Sequence, residues 1–308
     1  MTPGVVAAAG LLGVVLGPLL RRQIFRYAVP EAGRRAPQTR PDRADVAAQR
    51  DSAGQRDSAG QRDSAGQRDS AGQRDSAGQR DSAGLPGSGD RAGRTGRRNC
   101  PHCAAALGTP TRRNPLGVLP PTGRCPRCRG VVGPRPGLVE VVAATGYAAL
   151  AARVDGILPL LAYAWLAGFG IVLGFVDVAV RRLPDRLTLP AAAGTAGLLG
   201  AAALTSGQFG RYAVATACAL ALAGAYLGLV LLSPGGLGPG DAKLALGLGF
   251  ATGWYGWSTA FSGALAGLLL ASGYAAVLLR LRRIDRRDHL PHGPAMLTGT
   301  LGAVLLAA

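Results

Sequence analysis

The sequence predicts an all-α integral membrane protein with about eight transmembrane helices and one small polar module. Three observations predict it. Apolar sequence is segregated: residues 138–308 are mostly Ala, Leu, Gly and Val, whereas residues 21–137 are polar and basic. The basic residues fall on one side of the apolar runs when these are threaded alternately through a bilayer. Two Cys-x-x-Cys pairs lie in the polar region.

The apolar runs lie near 4–20, 138–153, 157–177, 187–204, 212–232, 242–259, 261–279 and 294–308. A span needs roughly 20 apolar residues, so 138–153 and 294–308 fall short. The low aromatic content and the dominance of Ala and Gly suit close helix–helix packing in lipid. The run 4–20 reads as a retained anchor, because no basic stretch precedes it and arginines follow it. The expected domains are therefore a first span (1–20), a polar region (21–137) and a membrane domain of about seven helices (138–308).

Charge sets the expected orientation. With 21–137 in the cytosol, the inner loops hold Arg181, Arg182, Arg186, Lys243, Arg280, Arg282, Arg283, Arg286 and Arg287. The outer loops hold only Arg153, beside Asp155, and Arg211. This positive-inside asymmetry predicts a multi-pass plasma-membrane protein in contact with membrane lipids. It also accounts for much of the net charge of +17, so no nucleic-acid partner is expected.

Residues 49–84 are six tandem copies of QRDSAG. Each copy is neutral and lacks a large apolar residue, so the expectation is a disordered spacer. The flanks 31–48 and 85–98 read as Pro/Gly/Arg-rich linkers. Residues 100–128 read CPHC, 21 residues, CPRC. Each C-x-x-C presents two sulfurs from one turn, and two such turns complete a tetrahedron. Cys100, Cys103, Cys125 and Cys128 are therefore the expected ligands of a structural zinc, within a cytosolic zinc-binding module over about 97–137. Four thiolates leave no coordination position for water, so the chemistry is expected elsewhere. His102 is expected to be exposed, and Cys218, inside an apolar run, to be a small core residue.

An acid at membrane depth is a functional candidate by default. Asp177, in VDVAVRRLPDRLTLP, lies about one turn inside its span. It reads either as a helix-end acid paired with Arg181 or as a reactive group. Asp185 follows Pro184 and reads as an N-cap of the next span. Asp241, in GPGDAKL, could cap the span that begins at Ala242, but Gly238 and Gly240 beside it exceed what a cap needs and permit a close approach. Lys243 is the only lysine in the chain, and reads as a holder of an anionic group or of the loop. Asp177 and Asp241 are expected at similar depth. Two carboxylates in a partly dry site do not both ionise easily, so one serves as acid and the other as base toward water.

With these stretches in view, the chain resembles the bacterial prepilin peptidases. GPGDAKL is similar to their G-x-G-D motif followed by x-K-L. VDVAVRRLPDRLTLP is similar to their other aspartate segment. The paired C-x-x-C motifs with GRCPRC and RPGLVEVV resemble their cytosolic module and second span. LPHGPAM resembles a P-x-G-P segment before the last span, and GPLLRRQIFR is a looser match to the end of the first. The resemblance covers most of the chain outside 31–96. It implies a membrane aspartic endopeptidase that cleaves the basic leader of type IV pilin-like precursors at the cytosolic face. Asp177 and Asp241 match the catalytic pair, with Asp185, Lys243, Gly238 and Gly240 in support. Many members also methylate the new N-terminus with S-adenosylmethionine. Here Arg21 and Arg22 stand where the family usually has an asparagine, so that activity stays open. The rival readings are a transporter or channel with an acid-lined path, and a membrane-anchored adaptor built on the zinc module.

Overall fold

The computed structural model describes residues 2–28, 98–100, 102–103, 105–107, 123–125, 127–135, 137–232, 238–283 and 290–308. The QRDSAG spacer and nearly all of its flanks lie outside the described residues. So do Asp285, Arg286, Arg287 and Asp288. Among the described residues there are eight helices and one two-stranded ribbon. In chain order they are α1 (Pro3–Ala28), β1 (Arg98–Asn99), β2 (Ala106–Leu107), α2 (Leu138–Arg153), α3 (Ile157–Val180), α4 (Asp185–Ser206), α5 (Phe209–Leu232), α6 (Pro239–Gly253), α7 (Trp257–Arg280) and α8 (Gly293–Ala307).

Five helices (α1, α3, α4, α5 and α7) are long and apolar enough to cross a membrane. Each has at least 22 residues, about 33 Å at 1.5 Å per residue, which matches a ~30 Å hydrocarbon core. Their outer faces carry exposed Leu11, Val15, Leu204, Leu231, Phe261 and Leu269. Such faces are costly in water and natural against lipid tails. α8 is apolar but shorter, and α2 has 16 residues.

α6 explains why eight apolar runs do not give eight long helices. It has 15 residues, about 22 Å. It is wrapped by its neighbours, packing on α4, α5, α7, α8 and α3. Asp241, Leu244, Ala245, Leu248, Gly249, Ala251 and Thr252 are all buried. A helix that meets protein rather than lipid needs neither full length nor an all-apolar surface. The expected span 242–259 therefore ends early. The chain turns at Gly256, whose φ of 112° only glycine adopts readily, and α7 begins at Trp257.

Small residues set the helix spacing. A Cβ on Gly13 would fall 2.6 Å from the Ala143 backbone of α2. A Cβ on Gly253 would fall 2.6 Å from Cys218 Cβ and 2.8 Å from Ala215 Cα of α5. Gly263 and Gly267 of α7 face Thr300 and Met296 of α8 in the same way. Each pair comes from a Gly-x-x-x-Gly pattern (13/17, 249/253, 263/267), which lets backbones approach where no hydrophobic effect drives helices together. Cys218 is fully buried at the α5–α6 contact, as its apolar surroundings predict.

Candidate active site and metal centre

The two Cys-x-x-Cys turns share one construction. The Cys100 N–H donates to Ala105 O at 2.8 Å, and the Cys125 N–H donates to Gly130 O at 2.8 Å. The β1–β2 ribbon closes the first turn, and an Arg124–Val131 bridge closes the second. Arg129 takes a left-handed φ of 57° so that the chain can fold back over its cysteines. A Cβ on Gly130 would lie 2.6 Å from His102. His102 is exposed, as expected.

The four sulfurs lie within 4.8 Å of one another, with Cys100–Cys128 at 3.6 Å and Cys103–Cys125 at 3.7 Å. A tetrahedron with Zn–S of about 2.3 Å has edges of about 3.8 Å. The thiols are free rather than disulfide-bonded, and their spacing fits the ion. The N–H of Cys128, then that of Arg127, hold the Cys125 thiol down to about 6 against the opposing effect of burial. At Cys128 the Gly130 N–H pulls the other way, but burial and the three neighbouring thiols push it up to about 12. Four thiols this close compete for protons, which a divalent cation relieves. The module is anchored to the membrane domain by Phe25 of α1. That side chain is 1% exposed and packs among Cys100, Leu107, Cys125 and Val132.

Asp177 lies three residues before the end of α3. The helix stops at Arg181, which adopts a left-handed φ of 52° and donates its N–H to Asp177 O at 2.8 Å. Pro184 precedes α4. The Asp177 side chain is buried and accepts the N–H of Gly293 on Oδ2 at 2.9 Å. That donor stands 116 residues away at the start of α8, so the contact is tertiary. The carboxylate turns toward α8, in place of the helix-end pairing with Arg181 weighed above.

Asp241 is the third residue of α6. Its Oδ2 accepts the N–H of Gly238 at 2.9 Å. This is half of a capping box, since glycine has no side chain to reciprocate. Asp241 is also buried. It is thus both a cap and a dry carboxylate, and it acts on Asp177 through its charge. Gly240 brings α6 against the aspartate-bearing loop: a Cβ there would lie 2.8 Å from Leu183 Cβ and 3.2 Å from Leu183 O. Gly238 has more room, its nearest neighbour being Asp241 Oδ2 at 3.7 Å.

Asp185 corrects one expectation. The N-cap of α4 is Pro184, and no side-chain cap bond forms. Asp185 Oδ2 pairs instead with Lys243 Nζ at 2.7 Å. This ties the start of α4 to the start of α6. The Thr188 hydroxyl of α4 is buried with no hydrogen-bond partner among the described residues. Arg21 lies 3.5 Å from Glu140 Oε1, joining α1 to α2.

Two further residues join the site. The Tyr226 hydroxyl of α5 lies 3.4 Å from His292 Nε2, and their rings tilt at 46° with centroids 5.8 Å apart. His292 directly precedes Gly293, whose N–H holds Asp177 Oδ2, so the His292–Tyr226 contact lies next to that carboxylate. Sequence reasoning passed over both. Tyr226 is one aromatic in an apolar run, and only the tertiary fold brings it to the carboxylates. An apolar cavity of about 300 Å³ between α2, α3, α6 and α8 is lined at one end by Val178 and Pro294, the chain neighbours of Asp177 and Gly293.

Comparison with known proteins follows this geometry. Residues 164–279, which include both Asp177 and Asp241, match the model of the type IV leader peptidase family. A prepilin leader peptidase/N-methyltransferase of Dickeya chrysanthemi is 32% identical over 215 residues, covering 67% of this chain and 72% of the relative. The protein of the same name from Bacillus subtilis (strain 168) is 29% identical over 219 residues, covering 68% and 81%. That of Burkholderia pseudomallei (strain 1026b) is 31% identical over 218 residues, covering 66% and 65%. The match thus spans just under two thirds of the Burkholderia protein's length. No solved structure matches the chain. Several apolar helices and these relatives make the chain a multi-pass membrane protein, and it belongs to the type IV leader peptidase family.

Proposed function

We propose that the chain is a membrane-embedded aspartic endopeptidase that cleaves the basic leader from type IV pilin-like precursors at the cytosolic membrane face. The observation that carries this reading is the pair of buried carboxylates, Asp177 and Asp241. They lie on different helices, both are buried, each is held by one backbone N–H, and the charge of Asp241 reaches Asp177. In the proposed reaction one carboxyl keeps a proton and the other accepts one from water. The water oxygen attacks the scissile carbonyl, and the protonated carboxyl donates to the carbonyl oxygen. Collapse of the tetrahedral adduct returns a proton to the leaving amine. Gly238 leaves space for an extended segment at Asp241, while Gly240 lets the start of α6 pack on Leu183. The Lys243–Asp185 pair keeps the two aspartate loops in register.

The orientation proposed is the one that positive-inside counting favours, with the zinc module and both carboxylates toward the cytosol. Such a site meets a basic leader where it emerges from an apolar helix. Zinc, held by Cys100, Cys103, Cys125 and Cys128, supplies folding energy to the module and takes no part in cleavage. S-adenosylmethionine enters only if the new N-terminus is methylated, an activity carried by the relatives' names. Incubation of a pilin-like precursor with the chain in detergent tests the reading. The leader should be released and, if methyl transfer accompanies cleavage, the product should be one methyl heavier when S-adenosylmethionine is added. A transporter with an acid-lined path would instead show acid-dependent ion flux and no cleavage.

A further inference from the structure

Gly293 stands at the first position of α8, where helix propensity gives no reason for glycine. Its backbone gives none either, because its φ lies outside the left-handed region that favours glycine. Space does give a reason. A Cβ at Gly293 would lie 3.0 Å from Asp177 Oδ2, 3.4 Å from its Cγ and 3.5 Å from its Cβ. The Gly293 N–H donates to that same Oδ2 at 2.9 Å, and both residues are buried. The turn before it is also fixed, since the His292 side chain meets the Tyr226 hydroxyl of α5. The donor is therefore carried on a restrained segment, and it comes from a helix that holds neither aspartate.

Resting on the peptidase reading, we propose that Gly293 is a positioning residue for Asp177. Its peptide N–H holds Oδ2 and so fixes the orientation of the carboxyl, and a side chain here would press on the oxygen it orients. Gly302 is the natural control. It lies on the same helix, and a Cβ there would meet nothing within 4 Å.

The test uses the full chain in detergent with a pilin-like precursor, comparing wild type, Gly293→Ala and Gly302→Ala. In Gly293→Ala, kcat is expected to fall about tenfold to a hundredfold, the scale of a sub-ångström to one-ångström misplacement of a reacting group. KM should stay within about twofold, and the limbs of the pH–rate profile should change position. Gly302→Ala should behave as wild type. A second readout does not depend on cleavage. The infrared carboxyl band of Asp177, identified by difference against Asp177→Asn, should shift in Gly293→Ala and stay in place in Gly302→Ala. An unshifted band overturns the proposal. So does a Gly293→Ala profile that is merely scaled down with its shape intact, since that is what a partly unfolded preparation gives. A shifted band with no cleavage by wild type contradicts the peptidase reading and leaves the positioning contact standing.

Discussion

Asp177 and Asp241 each sit in a small backbone socket, Gly293 N–H for one and Gly238 N–H for the other. If they form the proposed pair, Asp177→Asn and Asp241→Asn should each lower cleavage by about 10²–10⁴-fold or more, the usual scale of general acid–base catalysis. Both proteins should still insert in the membrane; a variant that retains full activity would remove its residue from the pair. Asp185 is a different case. It is half-exposed and pairs with Lys243 at 2.7 Å, so Asp185→Asn should cost less than about 1 kcal/mol of stability and only part of the activity. Complete loss in a normally folded variant would promote it to the pair. Asp177 and Asp241 were legible in the sequence because a carboxylate in an apolar run has few structural uses. The Lys243–Asp185 contact was not, because it joins residues 58 positions apart that only the packing of α4 on α6 brings together. The contacts of Tyr226, and of His292 and Gly293 within the P-x-G-P segment, were hidden for the same reason: their partners come from other helices.

At the level of elements, the short central helix α6 organises the site. Its contact with α5 depends on Gly249 and Gly253 lying against Ala215, Cys218 and Ala219. Gly253→Leu should force α5 and α6 apart and cost about 1–3 kcal/mol, the usual penalty of overpacking. Thermal unfolding in detergent checks this, and an unchanged midpoint would show that the contact has slack. The length and apolar character of the runs 157–177, 187–204 and 212–232 were enough to foresee α3, α4 and α5. It overran the end of α6, because Phe250 to Trp254 stay apolar through the turn at Gly256 and hydropathy does not register a break among apolar residues. The cysteine spacing foretold the cluster of four thiols that could hold a metal, whereas its docking through Phe25 was not visible. Phe25→Ala removes a side chain that is 1% exposed and should destabilise the module by about 3–5 kcal/mol. Faster zinc loss to a chelator would report it, and wild-type zinc retention would contradict it.

For the whole molecule, the proposed chemistry lies in the membrane helices and the proposed zinc lies in the module. One zinc per chain is expected by metal analysis, and a fully active preparation without metal would contradict its structural role. Deleting residues 49–84 should leave peptidase activity largely intact, since the repeat offers no large apolar residue with which to pack; loss of activity would overturn the spacer reading. The central claim is tested most directly by leader cleavage of a pilin-like precursor in detergent, with wild type and Asp241→Asn side by side. The account predicts that wild type releases the leader and Asp241→Asn does not. Failure of zinc-loaded wild type to cleave a precursor that another leader peptidase does cleave would contradict it.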